Sequence, residues 1–343
     1  MEITITDQEG NQRVDRFLRK YFKPHTDIKL SDIYARLRQG DIKLNGKKAK
    51  EGVRIHDGDI ISRSEKLAET HGLHKSTATK PEKVRSYAFE NIKQYIVYED
   101  ENRIWWNKPA DMVTHPWNKR STEISLHDLM QSYLQHTQQK KDSQTFNPSF
   151  CFRLDKDTSG LIISAKTYTA LQLLNELIRD RKTRKTYLAI VIGEFKGLRT
   201  ITKPLFIGFD KKSGKARTFV NEEKGKESET KMMGIATYND KVLWVISLVK
   251  VQIITWRMHQ IRVHAASIGF PVLGDITYGN NALNRLLSKQ YRITRQLLHC
   301  RSYWFLDTIQ NKELSYSAPI PDDFIWLFPA AWDNKFSKKR SDT

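Results

Sequence analysis

The sequence predicts an α+β protein, in which a small N-terminal α/β module precedes a larger domain with a mixed, mainly antiparallel sheet. At 343 residues the chain is longer than most single domains. Strand-like apolar runs alternate with shorter helical patterns after residue 87, without the long strand–helix–strand repeats of a doubly wound sheet. We therefore predict the module at 1–62, a linker at 63–86, the larger domain at 87–330 and a basic tail at 331–343.

The N-terminal module contains helix and hairpin signals within a short stretch of chain. Apolar residues recur at helical spacing over 14–21, which predicts a first helix. Ser31 is the expected N-cap of a second helix, which Gly40 ends. Asn45-Gly46 is typical of a two-residue hairpin turn, and the apolar residues in 59–61 predict a last strand.

The larger domain is predicted to be rich in strands. Runs of β-branched and aromatic residues predict strands over 95–100, 160–166, 186–193 and 241–256. One helix is clear over 169–181, because its leucines fall on one stripe. The polar, glycine-containing stretch at 208–231 indicates a long hairpin or a surface insertion.

The charge balance points to a polyanionic partner. The chain carries 58 Lys and Arg against 39 Asp and Glu, a formal net charge of +19, which favours nucleic acid. No apolar run approaches the roughly 20 residues of a spanning helix, so no membrane partner is expected. Because the N-terminus lacks a secretory signal and the two cysteines are far apart, we predict a cytoplasmic protein without a disulfide framework or zinc ribbon.

Basic residues of the second helix and the hairpin are candidates for RNA binding. They are Arg36, Arg38, Lys43, Lys47 and Lys48. A solvated basic surface is the usual explanation of such a charge run. Here the basic residues flank a turn that can enter a groove, and the whole chain is cationic, so RNA binding is the favoured interpretation.

Two segments of the larger domain could carry chemistry. In CFRLDKDTSG, residues 151–160, Asp155 stands at the entrance to a tight turn, with Arg153 close by and apolar residues on both sides. An aspartate in this position is more often a turn or cap residue than a catalytic one. In RKTYLAIV, residues 184–191, Tyr187 is either a core residue or a platform on which a base stacks.

A third segment, residues 255–279, is rich in arginine and histidine. His259 and His264 are five positions apart without an acidic neighbour, a poor spacing for metal ligands, and no metal site is predicted. We interpret the segment as a short helix that offers Arg262 and polar side chains to an anionic ligand.

These segments together resemble the RluA-type pseudouridine synthases in order and spacing. The resemblance rests on CFRLDKDTSG, KTYLAIV, RMHQIRVHAASIGFPVLGDITYG, LLHCRSYWF and the earlier NKPADMVTHPW. The N-terminal module is similar to a small RNA-binding module that the family shares with a ribosomal small-subunit protein, and IYARLRQG and RIHDGDII look most like the RluC branch. The resemblance implies the pseudouridine synthase fold and large-subunit ribosomal RNA as the partner.

The resemblance also assigns roles to individual residues. It makes Asp155 the catalytic aspartate, Tyr187 the tyrosine that stacks on the uracil, and Arg262 the arginine that pairs with the catalytic carboxylate. Arg153 matches the residue that helps to extrude the target nucleotide. The chain departs from the family pattern at Phe152, where most members have histidine, and at Trp256 and Met258, which replace glycine and threonine.

The implied reaction converts uridine to pseudouridine without a cofactor or a metal, because no atom is gained or lost. We expect a buried, ionised Asp155 beside Arg262 and Tyr187 in an enzyme that works as a monomer. Three alternatives stay open: the same reaction on transfer RNA, a ribosome-assembly factor without catalysis, and a hydrolase that uses Cys151 or the histidine pair.

Overall fold

The structure is a computed structural model that describes residues 2–6, 9–22, 29–63, 89–116, 122–137, 145–210, 214–329 and 331. The predicted linker, apart from Arg63, and the predicted basic tail, apart from Ala331, lie outside the described residues. The domain boundaries therefore stay predictions.

The N-terminal residues form their own sheet and core. The elements are β1 (Glu2–Thr4), α1 (Val14–Phe22), α2 (Leu30–Gln39), β2 (Ile42–Leu44), β3 (Lys47–Lys48) and β4 (Ile60–Arg63). The strands pair in the order β1-β4-β2-β3, all antiparallel. Phe17 and Leu18 of α1 and Leu37 of α2 are buried in one hydrophobic cluster with residues of this sheet.

Both predicted helices and the hairpin turn of this part are present. The turn residues Asn45 and Gly46 have φ values of 50° and 74°, as a two-residue hairpin turn of this kind requires. The predicted cap was wrong: α2 begins at Leu30, two residues earlier than a Ser31 cap implies, with Lys29 as its N-cap and Ser31 in the first turn. The Lys29 amide donates a hydrogen bond to the Asp32 carboxylate at 3.2 Å, which ties the helix start together.

The remaining strands build one large sheet and a separate hairpin. They are β5 (Ile96–Glu99), β6 (Arg103–Lys108), β7 (Ser149–Phe150), β8 (Ser159–Ala165), β9 (Thr183–Ile192), β10 (Leu198–Ile201), β11 (Leu205–Asp210), β12 (Lys215–Val220), β13 (Thr230–Asp240), β14 (Trp244–Ile253), β15 (Leu298–Asp307) and β16 (Lys312–Ser317). The sheet order is β10-β13-β14-β9-β15-β8-β6-β5, with β16 beside β15 and β7 beside β8, while β11 and β12 pair with each other. Among the described strands only β15 and β8 run parallel, which confirms the predicted mixed, mainly antiparallel sheet.

Helices and loops cover both faces of this sheet. The helices are α3 (Phe89–Lys93), α4 (Leu126–His136), α5 (Tyr168–Arg179), α6 (Gln260–Ser267), α7 (Asn281–Tyr291) and α8 (Asp322–Leu327). Alternate residues of β9 enter different hydrophobic clusters: Ala189 and Val191 pack with residues of α4 and α5, and Leu188 and Ile190 with residues of α7 and α8. A strand buried on both sides explains why this stretch of sequence is apolar without alternation.

Two predicted boundaries differ from the structure. The strand expected from residue 241 begins at Trp244, because the Asp240 carboxylate accepts hydrogen bonds from the amides of Val242 and Leu243 and holds a turn there. The helix expected over 169–181 spans Tyr168–Arg179. The stretch at 208–231, expected to form a long hairpin or a surface insertion, contains a hairpin only in part: β11 and β12 span 205–220, and β13 begins at Thr230.

Candidate active site

Three elements bring the predicted catalytic residues together. Asp155 lies in the turn that leads into β8, Tyr187 in β9 and Arg262 in α6. Across the sheet, Cys300 of β15 is paired with Gly160 of β8 on one side and with Tyr187 of β9 on the other. The register therefore places the start of β8 close to Tyr187.

Backbone conformation and close packing shape the turn after Asp155. The Thr158 amide donates to the Asp155 carbonyl at 3.1 Å, which closes the turn. Gly160 follows with a φ of 111°, a backbone conformation that residues other than glycine rarely adopt. A Cβ at this position would lie 2.7 Å from the Cys300 nitrogen and closer still to its carbonyl oxygen. Only glycine lets β8 and β15 approach in this way.

Residues of the NKPADMVTHPW motif anchor this turn from behind. The buried Lys108 ammonium donates hydrogen bonds to the carbonyls of Pro109, Met112 and Lys156, at 2.7 to 2.8 Å. Burial lowers the pKa of Lys108 to about 7, and the nearby Asp155 charge opposes that shift. The Thr114 hydroxyl bonds to both the amide and the carbonyl of Leu154, at 3.2 and 3.1 Å. The motif therefore fixes the backbone on both sides of Asp155.

Arg262 joins Asp155 to a second carboxylate that the sequence analysis missed. Its Nη1 donates to Asp155 Oδ2 at 2.8 Å, while Nε and Nη2 donate to the two oxygens of Asp275 at 2.7 and 3.0 Å. Burial alone would raise the pKa of Asp275, but the guanidinium and the amides of Thr277 and Tyr278 outweigh it, and the pKa is lowered. Burial lowers the pKa of Arg262, but the two carboxylates raise it overall.

The expectation of a buried Asp155 was wrong. Its side chain is 29% exposed, whereas that of Arg262 is 6% exposed and that of Asp275 is fully buried. The carboxylate therefore lies at the mouth of the site with the cation behind it. Among the residues that the structure describes, hydrogen-bond donors reach Oδ2 of Asp155 and none reaches Oδ1.

Tyr187 lies on the inner side of the site. It is 6% exposed and is paired with Val251 of β14 and with Cys300 of β15. Burial raises the pKa of its phenol well above the usual value, and the charge of Asp155 adds to this shift. The phenol therefore keeps its proton at neutral pH, close enough to Asp155 to sense its charge.

The candidate RNA-binding residues occupy different places. Arg153 is exposed beside the turn that follows Asp155, and no hydrogen bond or ion pair joins it to the described residues. Lys43, Lys47 and Lys48 are exposed on the hairpin of the N-terminal sheet, where Lys43 and Lys48 are direct cross-strand partners. Of the two helix residues, Arg36 is half-buried, and Arg38 is exposed with its guanidinium 3.4 Å from Glu51. Their role in RNA binding stays a prediction.

The site contains further residues that the sequence analysis passed over. His259 Nε2 lies 3.7 Å from Asp155 Oδ2, so the histidine that lacks an acidic neighbour in sequence has one in space. Tyr278 bonds to His259 Nδ1 at 2.9 Å. In the sequence, Asp275 and Tyr278 lie in GDITYG, and its two glycines are more typical of a turn than of a functional site. Among the described residues, no cluster of three or more His, Cys, Asp or Glu could hold a metal ion.

Two of the departures from the family pattern meet at one lysine. The Lys185 ammonium lies 3.0 Å from the ring centroid of Phe152, 4.4 Å from that of Trp256 and 4.9 Å from that of Tyr303. Lys185 is 2% exposed and has no carboxylate partner among the residues described. Burial lowers its pKa to about 7, whereas the ring faces favour the charged form. Phe152 and Trp256 thus complete an aromatic cage around a buried cation.

No helix in the described part of the chain is both long and apolar enough to cross a membrane. Residues 102–267 match the family model for RNA pseudouridylate synthases. The ribosomal large subunit pseudouridine synthase C of Buchnera aphidicola subsp. Acyrthosiphon pisum is 30% identical, over 94% of this chain and 94% of the relative. An uncharacterized RNA pseudouridine synthase of Bacillus subtilis, YlyB, is also 30% identical, over 95% and 96% of the two chains.

Solved structures agree on the fold. The human RNA pseudouridylate synthase domain containing 1 matches with a TM-score of 0.52 and 24% identity, over 66% of this chain and 83% of the other. The human RNA pseudouridylate synthase domain containing 4 matches with a TM-score of 0.53 and 21% identity, over 70% and 94%. At these identities the likeness shows the fold alone.

Proposed function

The chain belongs to the RluA-type family of RNA pseudouridine synthases, and from that premise we propose that it isomerises uridines of large-subunit ribosomal RNA in the cytoplasm. The observation that carries the proposal is the Asp155 carboxylate, half-exposed at the mouth of the site and held from behind by Arg262. The names of several relatives support the ribosomal target, as does the net charge of +19.

The charges around Asp155 suit a carboxylate that must react as an anion. Arg262 stays protonated at any working pH and binds Asp155 through one nitrogen. Asp275 occupies its other two nitrogens, so the guanidinium is shared between two carboxylates. One guanidinium faces two carboxylates, so its positive charge does not fully neutralise Asp155.

The reaction breaks the bond between ribose C1′ and N1 of uracil, turns the base, and joins C1′ to C5. The proton that leaves C5 is balanced by one taken up at N1, so no external reactant is consumed. Attack on the pyrimidine ring and attack on C1′ both require an ionised carboxylate, and Asp155 supplies it. Arg262 binds Oδ2, which leaves Oδ1 as the oxygen for a flipped nucleotide.

Tyr187 and Arg153 accommodate the flipped nucleotide. Removing a base from its stack costs a few kcal/mol. Stacking on the Tyr187 ring offsets part of this cost, and the exposed Arg153 side chain fills the space that the base leaves. The proton on the Tyr187 phenol, which burial retains, is available to a carbonyl oxygen of uracil.

The substrate assignment is tested by mapping pseudouridine in RNA treated with the purified protein. Unmodified large-subunit ribosomal RNA and unmodified transfer RNA are incubated separately, and Asp155→Asn provides the background. We expect new pseudouridines at discrete positions of the ribosomal RNA only. Modification confined to transfer RNA would overturn the ribosomal target, and modification of neither RNA would overturn the proposed activity on isolated RNA.

A further inference from the structure

His259 connects Asp155 to a chain of hydrogen bonds that begins in the β11–β12 hairpin. It is the residue before α6, and its Nε2 lies 3.7 Å from Asp155 Oδ2. Its φ of 56° is in the left-handed region, which histidine adopts only where the surroundings hold it. On the far side of the ring, Nδ1 is 2.9 Å from the Tyr278 hydroxyl.

These hydrogen bonds favour one tautomer of the imidazole. The Thr218 amide can only donate, and it donates to the Tyr278 hydroxyl oxygen at 3.0 Å. With the Thr218 amide on one lone pair of this oxygen, the single phenol proton can be donated to His259 Nδ1, which then accepts it. A neutral imidazole that accepts at Nδ1 carries its own proton on Nε2, the nitrogen that faces Asp155.

Charged groups surround this pair on several sides. Burial lowers the pKa of His259; the carboxylates of Asp155 and Asp275 oppose the shift, and the guanidinium groups of Arg262 and Arg217 reinforce it. Because the pKa is lowered, the imidazole is neutral at pH 7.

Two guanidinium groups also hold Tyr278 in place. Those of Arg217 and Arg262 lie 4.9 and 5.2 Å from the centroid of its ring. Burial raises the pKa of Tyr278, so its phenol keeps the proton that it donates to His259.

The geometry distinguishes the two oxygens of Asp155. Arg262 Nη1 and His259 Nε2 lie 2.8 and 3.7 Å from Oδ2, and no described residue donates a hydrogen bond to Oδ1. A separation of 3.7 Å is too long for a hydrogen bond, and an approach of less than about 1 Å makes it one. Hydrogen bonds at catalytic groups commonly shorten in this way when substrate binds.

We propose that His259 is a positioning residue that, together with Arg262, ties down Oδ2 of Asp155 and presents Oδ1 as the reacting oxygen. Tyr278 sets the tautomer that this role requires. The inference rests on the proposed pseudouridine synthase activity. In it, His259 affects the reaction only by positioning Asp155, the proposed nucleophile.

Two substitutions of His259 separate the functions of its nitrogens. In His259→Gln the amide nitrogen can stand near the position of Nε2 and donate to Asp155. In His259→Asn the shorter amide can reach Tyr278 but not Asp155, and asparagine tolerates the left-handed backbone at least as well. We expect kcat to fall about tenfold more in the asparagine variant, with similar KM, since only glutamine keeps a donor to the charged oxygen.

The pH profile provides a readout that a purely structural role would not move. Protonation of His259 would place a proton on Nδ1 and break the hydrogen bond from Tyr278, so the acidic limb of kcat in the parent enzyme should contain a group that both variants lack, because neither amide titrates. Equal kcat in the two variants, or an acidic limb identical to that of the parent enzyme, would overturn the inference. Activity of the parent enzyme on ribosomal RNA tests the proposed function separately.

The tautomer can be measured without any reaction. Nitrogen-15 NMR of the histidine rings distinguishes a proton on Nε2 from one on Nδ1 in the free protein. We expect the Nε2–H form for His259 at pH 7, and a mixture of tautomers in Tyr278→Phe, which lacks the phenol proton. A Nδ1–H or doubly protonated ring in the parent protein would contradict the proposed direction of the chain.

Discussion

The Arg262 guanidinium binds two carboxylates, and this sharing decides how strongly its positive charge acts on Asp155. Two of its nitrogens belong to the buried Asp275, at 2.7 and 3.0 Å, and one to the half-exposed Asp155, at 2.8 Å. Without Asp275, the full positive charge would face Asp155 and weaken its nucleophilicity. Asp275 therefore does more than hold Arg262 in place.

The substitution Asp275→Asn tests this role because it keeps the shape and removes the charge. We expect kcat to fall by roughly 10- to 100-fold, with KM nearly unchanged, since transition-state interactions are removed and ground-state binding is kept. The matched control is Asp323→Asn, which removes the carboxylate that binds Arg295 in a similar two-point ion pair. Steady-state kinetics that show the same decrease in both variants would contradict a role specific to Asp275.

A second prediction at this scale concerns Lys185 in its cage of Phe152, Trp256 and Tyr303. Its folded-state pKa of about 7 lies below the usual 10.5, so the unfolded chain binds a proton that the folded protein releases between these values. The free energy of unfolding therefore rises as pH increases from about 7 towards 10.5. Below about pH 7 Lys185 is charged in both states, and the folded protein bears the whole unfavourable free energy of burying that charge.

Lys185→Met removes the buried charge and keeps the length of the side chain. Its free energy of unfolding should exceed that of the parent protein by about 2 kcal/mol at pH 6, after allowing for the missing cation–π attraction. The difference should shrink as pH rises towards 10. Urea titrations at several pH values measure it, and a difference independent of pH would show that Lys185 does not titrate as inferred.

Among the elements, the turn between β7 and β8 shows what local sequence could and could not reveal. Turn residues between apolar runs predicted the bend after Asp155 correctly. The contacts that hold it come from Lys108 and Thr114, which are far away in sequence and which the pattern did not connect to it. The same limit applies to Asp275 and His259, whose proximity to Asp155 depends on how α6 packs.

Boundaries were missed for a related reason. Ser31 was a plausible cap by residue type, but α2 begins where the Asp32 carboxylate bonds to the Lys29 amide. The burial of Asp155 was overestimated because apolar neighbours in sequence need not enclose a side chain. The four strands predicted from apolar runs are present as β5, β8, β9 and β14, whereas the long strands β13 and β15 were not predicted from the pattern.

Gly160 provides the test at the level of elements. In Gly160→Ala, a φ of 111° and the contact with the Cys300 backbone both oppose the added methyl group. We expect the free energy of unfolding to fall by more than about 3 kcal/mol. Gly269→Ala is the control, because Gly269 has a similarly positive φ of 82° with no atom within 4 Å of a Cβ, and its cost should stay near about 1 kcal/mol. Equal decreases in urea denaturation would remove the packing argument.

For the molecule as a whole, the net charge of +19 has to be explained by its partner. Lys43, Lys47 and Lys48 are exposed on a hairpin of the N-terminal sheet, which is separate from the large sheet whose strand β8 follows Asp155. This separation agrees with the prediction that the N-terminal residues bind structured RNA, while residues attached to the large sheet perform the reaction. The boundaries of the two parts remain as predicted from the sequence.

Replacing the three hairpin lysines with alanine should weaken RNA binding and leave the chemical step nearly unchanged. Removing one lysine–phosphate interaction reduces the slope of log K against log salt by about 0.7 to 0.9, so the triple variant should be less steep by up to about 2.7. The control is Lys312→Ala, an exposed lysine on β16. An unchanged slope in the triple variant would show that the hairpin does not contact RNA.

The most direct measurement is single-turnover formation of pseudouridine by Asp155→Ala, with RNA affinity determined on the same preparation. The variant should form no detectable product while binding ribosomal RNA within several-fold of the parent protein, because the carboxylate reacts and the phosphate contacts lie elsewhere. Isomerisation at a measurable rate by Asp155→Ala would contradict the assignment of the nucleophile.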